Sequence, residues 1–296
     1  MKNVGYYIGY LLGGLVAFMS SIYIASKYIS WNGIKLSIAI SKLRERQLIK
    51  EIWKIGSLLF FYAFLFQLLF SIDKYFVKFL EGNRMLAFYT FAVQGTMAVI
   101  SLFSAFVGSF APKIYYNFAQ GHNQEYLLKK LTFTIMILAY MSAFIIFIGA
   151  RSFVEAVLPN YGNSVPFFKI FALMIIPFAL YNIGYVIAVG MNRVLPLLKG
   201  ITILLGIAVL LNWMLYKYTG INGIAWATVI SVILAYFLVS FIVLSIYQFW
   251  YLTLFVLPIL LVNLWLMSQD LKAGSVFFLL VICTMSFTFI KNKESY

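Results

Sequence analysis

The amino-acid sequence predicts an all-α membrane protein with about nine transmembrane helices. Hydrophobic residues make up 64% of the 296-residue chain and charged residues only 10%, whereas about a quarter of the residues in a soluble domain are charged. The mean hydropathy of +0.97 agrees with this composition. Apolar runs of about twenty residues, the length that crosses about 30 Å of hydrocarbon, recur along the chain. We therefore expect the chain to fold in a lipid bilayer.

Nine apolar runs are the predicted membrane spans. They lie near residues 6–26, 55–72, 85–108, 131–150, 167–190, 197–216, 223–246, 251–268 and 275–290. Most connections between them are short, and only the connection over residues 27–54 is long and carries a cluster of charges.

The basic residues decide the predicted orientation. A net charge of +14 would indicate nucleic-acid binding in a soluble protein, but here Lys and Arg lie in short loops between apolar runs, so we expect no nucleic-acid partner. Of the 22 Lys and Arg residues, 14 fall on the side of the 27–54 connector and 8 on the other side. Because cytoplasmic loops are richer in Lys and Arg, this bias predicts an outside N-terminus and an inside C-terminus in the cell membrane.

The motifs of soluble enzymes are missing from the sequence. Cys283 is the only cysteine and lies in an apolar run, and His122 is the only histidine, so we expect neither an intramolecular disulfide nor a metal site. The sequence contains no phosphate-binding loop, no zinc-protease motif and no nucleophile elbow. We therefore expect no enzyme activity and no cofactor.

Two N-terminal segments bear on how the chain meets the membrane. The run 6–26 is long for the apolar part of a signal peptide, and the heavier positive charge follows it, so we expect a retained helix. The segment 34–54 alternates apolar with basic positions. That pattern fits an amphipathic helix along the cytoplasmic headgroups and, equally, a solvated connector.

The most informative polar stretch runs from Ser71 to Arg84. An ionisable side chain within a bilayer costs roughly 2.5–3.5 kcal/mol, so it needs a partner or a water-filled cavity. If the second span continues through this stretch, one helix face carries a cationic stripe directed at an outer cavity, formed by Gln67, Ser71, Lys74, Lys78 and Glu81. Alternatively, the helix ends near Asp73, and Lys74 and Lys78 reach the headgroups. Asp73 would then pair with Lys74 or a neighbouring arginine.

Two later spans carry polar or helix-disturbing residues. One face of the third span carries small and weakly polar residues, which predict close helix packing more than a cavity lining. Gln94 would suit either role. The residues of this face are Thr90, Gln94, Met97, Ser101, Ser104 and Gly108. The span 167–190 contains Lys169 near its start, and its Pro177 removes a backbone donor and predicts a kink. Asn182 either lines a cavity there or donates an interhelical hydrogen bond.

Two stretches of the sequence carry a family resemblance. The first is SIDKYFVKFLEGNRMLAFYTFAVQ followed by FAPKIYYNFAQGHNQE, with an Asp beside a base and aromatics, a short loop, a further helix and a turn containing Pro112. The second, LLNWMLYKYTGINGIAWATVIS, has an asparagine, aromatics and a Gly/Ala/Thr pattern carried by Asn212, Gly220, Gly223, Ala225, Ala227 and Thr228. Both resemble the polysaccharide-transporter family, the O-antigen flippases of the multidrug/oligosaccharidyl-lipid/polysaccharide exporter superfamily. Phe88 departs from the family pattern, which has glycine before the tyrosine at Tyr89.

The resemblance implies an architecture. Family members have two six-helix lobes, often followed by two extra helices, and bind substrate between the lobes. Residues 1–27 would then be the last helix of a truncated first lobe, 28–54 a cytoplasmic basic connector, 55–246 the six-helix second lobe, and 247–296 two extra helices and a short tail. About five N-terminal helices would be missing, as in a truncated or split gene product.

The resemblance also implies a function, which is the translocation of a lipid-linked oligosaccharide. The expected substrate contacts are Lys74, Lys78, Arg84, Lys169 and Gln94, with Asp73 as an orienting or ion-coupling residue. The missing lobe would be supplied by a partner chain or a homodimer. A drug or cation exporter should carry more acids in mid-span, and a polysaccharide polymerase or ligase should carry a long external loop. A non-transporting remnant that packs with other subunits is a further alternative.

Overall fold

A computed structural model describes residues 46–121 and 124–244, together with the isolated Met19. The described residues form helices and no strand: α1 (Arg46–Ala119), α2 (Glu125–Val157), a 3₁₀ helix (Pro159–Ser164), α3 (Val165–Ala172), α4 (Ile175–Gly190), α5 (Val194–Thr219) and α6 (Ile221–Leu244). The chain divides into two compact units, Met1–Ser57 and Leu58–Tyr296. The second unit contains the helical bundle.

Gly82 interrupts the long helix α1. Its backbone angles of φ 81° and ψ −178° are not helical and lie in a region that essentially only glycine adopts. A straight helix would separate Asp73 and Tyr89 by about 24 Å, yet their side chains are hydrogen-bonded. Helix α1 therefore folds back at Gly82 into a first arm, residues 46–81, and a second arm, residues 83–119.

The two arms correspond to the predicted spans 55–72 and 85–108. The first arm continues past Asp73 to Glu81, so the interpretation in which this helix ended near Asp73 is wrong. Its start at Arg46 also places residues 46–54 of the predicted connector in the helix. The second arm runs through Pro112 to Ala119 without the expected turn at the proline.

The predicted span 167–190 is broken, but not at Pro177. The segments Pro159–Ala172 and Ile175–Gly190 meet at an angle of 46°, with the break at residues 173–174. Pro177 lies in the first turn of α4, where a missing N–H is tolerated. Its ring would clash with the carbonyl of the residue four positions earlier, Leu173, which explains why the chain leaves the helical path there.

The described part of the chain contains four helices long and apolar enough to cross a membrane, or five if the bent pair α3 and α4 is one span. The protein is accordingly an all-α protein with several membrane-length apolar helices. Apart from Met19, the predicted spans 6–26, 251–268 and 275–290 lie outside the described residues, as do most of the segments 1–27 and 28–54 and all of 247–296. The count of nine spans thus stays a prediction.

Aromatic rings join the first arm of α1 to α4. Tyr62 and Phe66 share one face of the arm, and Tyr181 and Tyr185 share one face of α4, because residues four apart align along a helix. Phe66 stacks on Tyr181 at 4.9 Å between ring centroids, and Tyr62 stacks on Tyr185 at 5.2 Å. The hydroxyls of Tyr62 and Tyr181 share a hydrogen bond. Each ring pair contributes about 0.5–1.5 kcal/mol beyond its buried area.

Small residues close the corner between α5 and α6. Gly220 ends α5 with φ 63°, a backbone conformation that is unfavourable for residues with a side chain. A side-chain carbon at Gly223 would collide with the backbone of Leu215. Ala225 and Ala227 are fully buried on the same helix. Gly223 of the second resemblance stretch is therefore what lets these two helices approach each other at Leu215.

Candidate functional site

A buried carboxyl lies where three helix segments meet. Asp73 is only 1% exposed and lies on the first arm of α1. Its Oδ2 accepts hydrogen bonds from the Tyr89 hydroxyl at 2.8 Å and the Thr228 hydroxyl at 3.0 Å. Its Oδ1 accepts one from the backbone N–H of Lys74 at 2.7 Å. We call the side chains of Asp73, Tyr89 and Thr228 the Asp73 node.

The fold-back at Gly82 and the packing of α6 create this node. Tyr89 lies on the second arm and is fully buried, and its ring packs edge-on against Phe167 and Phe171 of α3. Thr228 lies on α6, and its oxygen is 3.2 Å from the Tyr89 hydroxyl. Each polar atom of the node therefore has a hydrogen-bonding partner in the interior of the bundle.

Asp73 does not form the ion pair expected for it. The ion pairs among the described residues are Lys129–Glu125 and Arg151–Glu155. Lys74 interacts with the Asp73 carboxyl electrostatically, but the direct contact comes from its backbone N–H and not from its ammonium group. The partners of the carboxyl are neutral hydroxyls, which sequence reasoning missed. An ionisable group buried in a membrane-length helix bundle is costly, so Asp73 is a candidate functional residue.

The cationic stripe precedes the Gly82 turn on the first arm. Lys78 and Lys74 lie four and eight residues before the glycine, or about 6 and 12 Å along the helix. Lys74 is half-buried and Lys78 is exposed, and neither forms an ion pair in the described part of the chain. Glu81 accepts a hydrogen bond from the Tyr216 hydroxyl of α5 at 3.1 Å. The continuous helix thus places both lysines on one face, and the outer cavity of the first interpretation stays a prediction.

Contacts across the bundle show which residues share this end. Phe88 and Phe91, just after Gly82, pack against Tyr161 of the 3₁₀ helix, with ring centroids 5.5 and 5.0 Å apart. Tyr216, near the end of α5, contacts Glu81. The Gly82 turn, the 3₁₀ helix and the α5–α6 corner therefore lie at one end of the bundle. Six described cations lie at this end, and all six belong to the predicted outer side of the membrane: Lys74, Lys78, Arg84, Arg151, Lys169 and Lys217.

The other predicted contacts on the second arm are more dispersed. Arg84 is exposed two residues after the glycine, and Gln94 is exposed about three turns further along. Ser104 accepts a hydrogen bond from Asn182 of α4 at 2.9 Å. Asn182 is therefore a partner in an interhelical hydrogen bond, and at Ser104 the polar face serves helix packing.

Lys169 lies in a pocket of its own. The pocket has a volume of about 270 Å³ and is bounded by α2, α3, the 173–174 break and α6; its lining residues are Phe147, Pro166, Lys169, Ile170, Leu173, Asn222 and Trp226. The Lys169 ammonium lies 5.6 Å from the centroid of the Phe147 ring. No lining residue comes from α1, so the pocket does not include the other predicted contacts, which are all on that helix.

The structure brings the two resemblance stretches together. Asp73 and Tyr89 belong to the first stretch and Thr228 to the second, and their side chains meet in the Asp73 node. The sequence identified both stretches as informative. It did not predict that they contact each other. Searches of protein-family models, curated proteins and solved structures return no match to this chain.

Proposed function

We propose that this protein translocates a lipid-linked oligosaccharide across the cell membrane during surface-polysaccharide synthesis. Two observations support the proposal. Two lysines that form no ion pair with another described residue lie one helical turn apart at one end of a membrane-length helix. A buried carboxyl that accepts hydrogen bonds from neutral donors lies beside them. The arrangement of this cationic stripe next to the Asp73 node is the observation that carries the proposal.

The stripe suits a diphosphate headgroup. A sugar diphosphate cannot cross about 30 Å of hydrocarbon unaided, so a carrier must offer polar contacts while the polyprenyl chain stays in lipid. Lys74 and Lys78 would hold the phosphate oxygens by charge-assisted hydrogen bonds, and Arg84 would add a bidentate contact from the other side of the Gly82 turn. Gln94 would contact the headgroup in another state of the carrier, whereas Lys169 lies in a separate pocket and is not part of this proposal.

Asp73 is the coupling residue in this proposal. A carboxyl whose partners are hydroxyls can release them and take up a cation or a proton without breaking an ion pair. Such an exchange would alter the contacts among the first arm, the second arm and α6, because the Asp73 node joins all three. Rocking of this helical bundle against a partner chain or a second copy would expose the headgroup site alternately to the two sides of the membrane.

Binding of a labelled substrate to the purified 296-residue chain tests the proposal. The probe is a fluorescent polyprenyl diphosphate carrying one sugar, and its affinity is measured by anisotropy in detergent. We expect Lys74→Ala with Lys78→Ala to weaken Kd at least about tenfold, because removing one charge-assisted hydrogen bond costs about 1.5–3 kcal/mol. An uncharged polyprenyl glycoside should bind weakly to both proteins.

A matched control removes two cations at the same end. The control variant is Arg151→Ala with Lys217→Ala. Both cations already have a partner in the protein, since Arg151 pairs with Glu155 and the Lys217 ammonium lies 3.7 Å from the centroid of the Trp213 ring. This variant should keep the original Kd within about twofold, because rim charges contribute little. An equal loss of affinity in the two variants would show that the stripe acts only through general surface charge. No loss of affinity in either variant would contradict the proposal.

A cation exporter of the same superfamily is the second candidate, and the buried Asp73 is the observation that favours it. An exporter would bind a lipophilic cation at the carboxyl, whereas the lysine stripe should repel one. The same anisotropy experiment with a fluorescent cationic dye separates the two. Dye binding that is lost in Asp73→Asn and unaffected by diphosphate would favour the exporter.

A further inference from the structure

The Lys169 pocket has the composition of a lipid site. Six of its seven lining residues are uncharged, and Lys169 is the one charged side chain. Phe147, Ile170 and Leu173 supply an apolar wall, and Asn222 and Trp226 add hydrogen-bond donors. A cation on an apolar wall matches a ligand with an anionic head and a hydrocarbon tail.

The position of the pocket supports the same assignment. It lies at the end of the bundle that carries the Gly82 turn, because α3 follows the 3₁₀ helix and α6 begins at the corner after Gly220. This end of a membrane-length helix is where lipid headgroups lie. Lys169 forms no ion pair within the described residues, and its side chain is exposed. Among the described residues the charge therefore has no acidic partner, and it is accessible to an anion from outside the protein.

We propose that this pocket binds an anionic phospholipid of the surrounding membrane, with the phosphate at Lys169 and an acyl chain along Phe147 and Ile170. The site is separate from the cationic stripe, since no α1 residue lines it. It also contacts the 173–174 break, because Leu173 is part of its wall. A bound lipid would hold α2, the bent α3–α4 pair and α6 together at that break.

Thermal unfolding of the purified full-length chain in detergent tests the proposal. The probes are phosphatidylglycerol, phosphatidylcholine with the same acyl chains, and soluble glycerol phosphate. Phosphatidylglycerol should raise Tm more than phosphatidylcholine does, because a ligand that binds only the folded state stabilises it. Glycerol phosphate should have no effect, since it lacks the chain that the apolar wall receives. Lipid retention in native mass spectrometry provides a second readout.

Four variants locate the effect. Lys169→Gln should weaken the apparent Kd for phosphatidylglycerol about tenfold and abolish its preference over phosphatidylcholine, whereas Lys169→Arg should restore both. Ile170→Trp, which fills the pocket while keeping the charge, should reduce the binding of both lipids. Lys217→Gln, at the same end of the bundle but outside the pocket, should behave like the original chain.

Three results would overturn the proposal. Equal losses in Lys169→Gln and Lys217→Gln would show general surface charge, and a full Tm increase from glycerol phosphate would show a site for a soluble anion. Displacement of phosphatidylglycerol by the labelled polyprenyl diphosphate, with loss of that displacement in Lys169→Gln, would assign the pocket to the transport substrate. The proposed transport function is tested independently, since its variants at Lys74 and Lys78 leave this pocket intact.

Discussion

Removal of the Tyr89 hydroxyl should destabilise the bundle far more than removal of an exposed one. This hydroxyl donates to Asp73 at 2.8 Å and lies 3.2 Å from the Thr228 oxygen. A hydrogen bond to a charged group contributes about 1.5–3 kcal/mol, against an average of about 0.6 kcal/mol for side-chain bonds between membrane helices. Tyr89→Phe keeps the ring and its contacts with Phe167 and Phe171, so the variant isolates the hydroxyl.

The assay is thermal unfolding of the purified full-length chain in detergent. A loss of about 1.5–3 kcal/mol corresponds to a Tm lower by about 3–12 °C, at roughly 2–4 °C for each kcal/mol. Tyr218→Phe is the control because that side chain is 80% exposed, and its Tm should change by no more than about 2 °C. Equal Tm values for Tyr89→Phe and Tyr218→Phe would refute the role assigned to the Asp73 node.

A double-mutant cycle then separates the charge from the packing. In an Asp73→Leu background the carboxyl is gone, so Tyr89→Phe should cost less than about 1 kcal/mol. Asp73→Leu alone should also cost about 1–3 kcal/mol, because it removes the acceptor to which the buried Tyr89 hydroxyl donates. Additive losses from the two changes would show that the Tyr89 hydroxyl acts through something other than Asp73.

Two glycine substitutions give further predictions. Gly82→Ala should lower the stability by about 1–3 kcal/mol, because φ 81° with ψ −178° is strained for any L-residue, whereas Gly56→Ala in a helix interior with open space around it should be neutral or stabilising by about 0.5–1 kcal/mol. Gly223→Ala should force α5 and α6 apart at Leu215 and cost about 1–3 kcal/mol, while Gly206→Ala on the open side of α5 should not. Both pairs are measured by thermal unfolding, and a pair with matching Tm values would contradict the backbone argument for that glycine.

The apolar periodicity and length of the runs allowed most of the helices to be predicted from the sequence. The runs 131–150, 197–216 and 223–246 fall within α2, α5 and, apart from two residues, α6. The break in the span 167–190 was also predicted, but its place was wrong. Proline excludes the helical path four residues before itself, so the break lies at Leu173 and not at Pro177.

The candidate site was only partly predictable. The common face of Lys74 and Lys78 follows from helix geometry, since residues four apart share a face wherever the helix continues. The partners of Asp73 do not follow from any local rule, because Tyr89 is 16 residues away and Thr228 is 155 residues away. The sequence pointed to a lysine or arginine as the nearest counter-charge, and the structure has hydroxyls in that place.

The sequence by itself determined that the chain forms apolar helices for a membrane and that its cations gather near their ends, because hydrophobicity and helical period are properties of local sequence. Tertiary structure alone decided that the second arm and α6 close around the Asp73 carboxyl. It also separated Lys169 from the other cations by placing it against α2 and α6. Such contacts depend on which helix faces meet in space, and the order of residues along one helix does not contain that information.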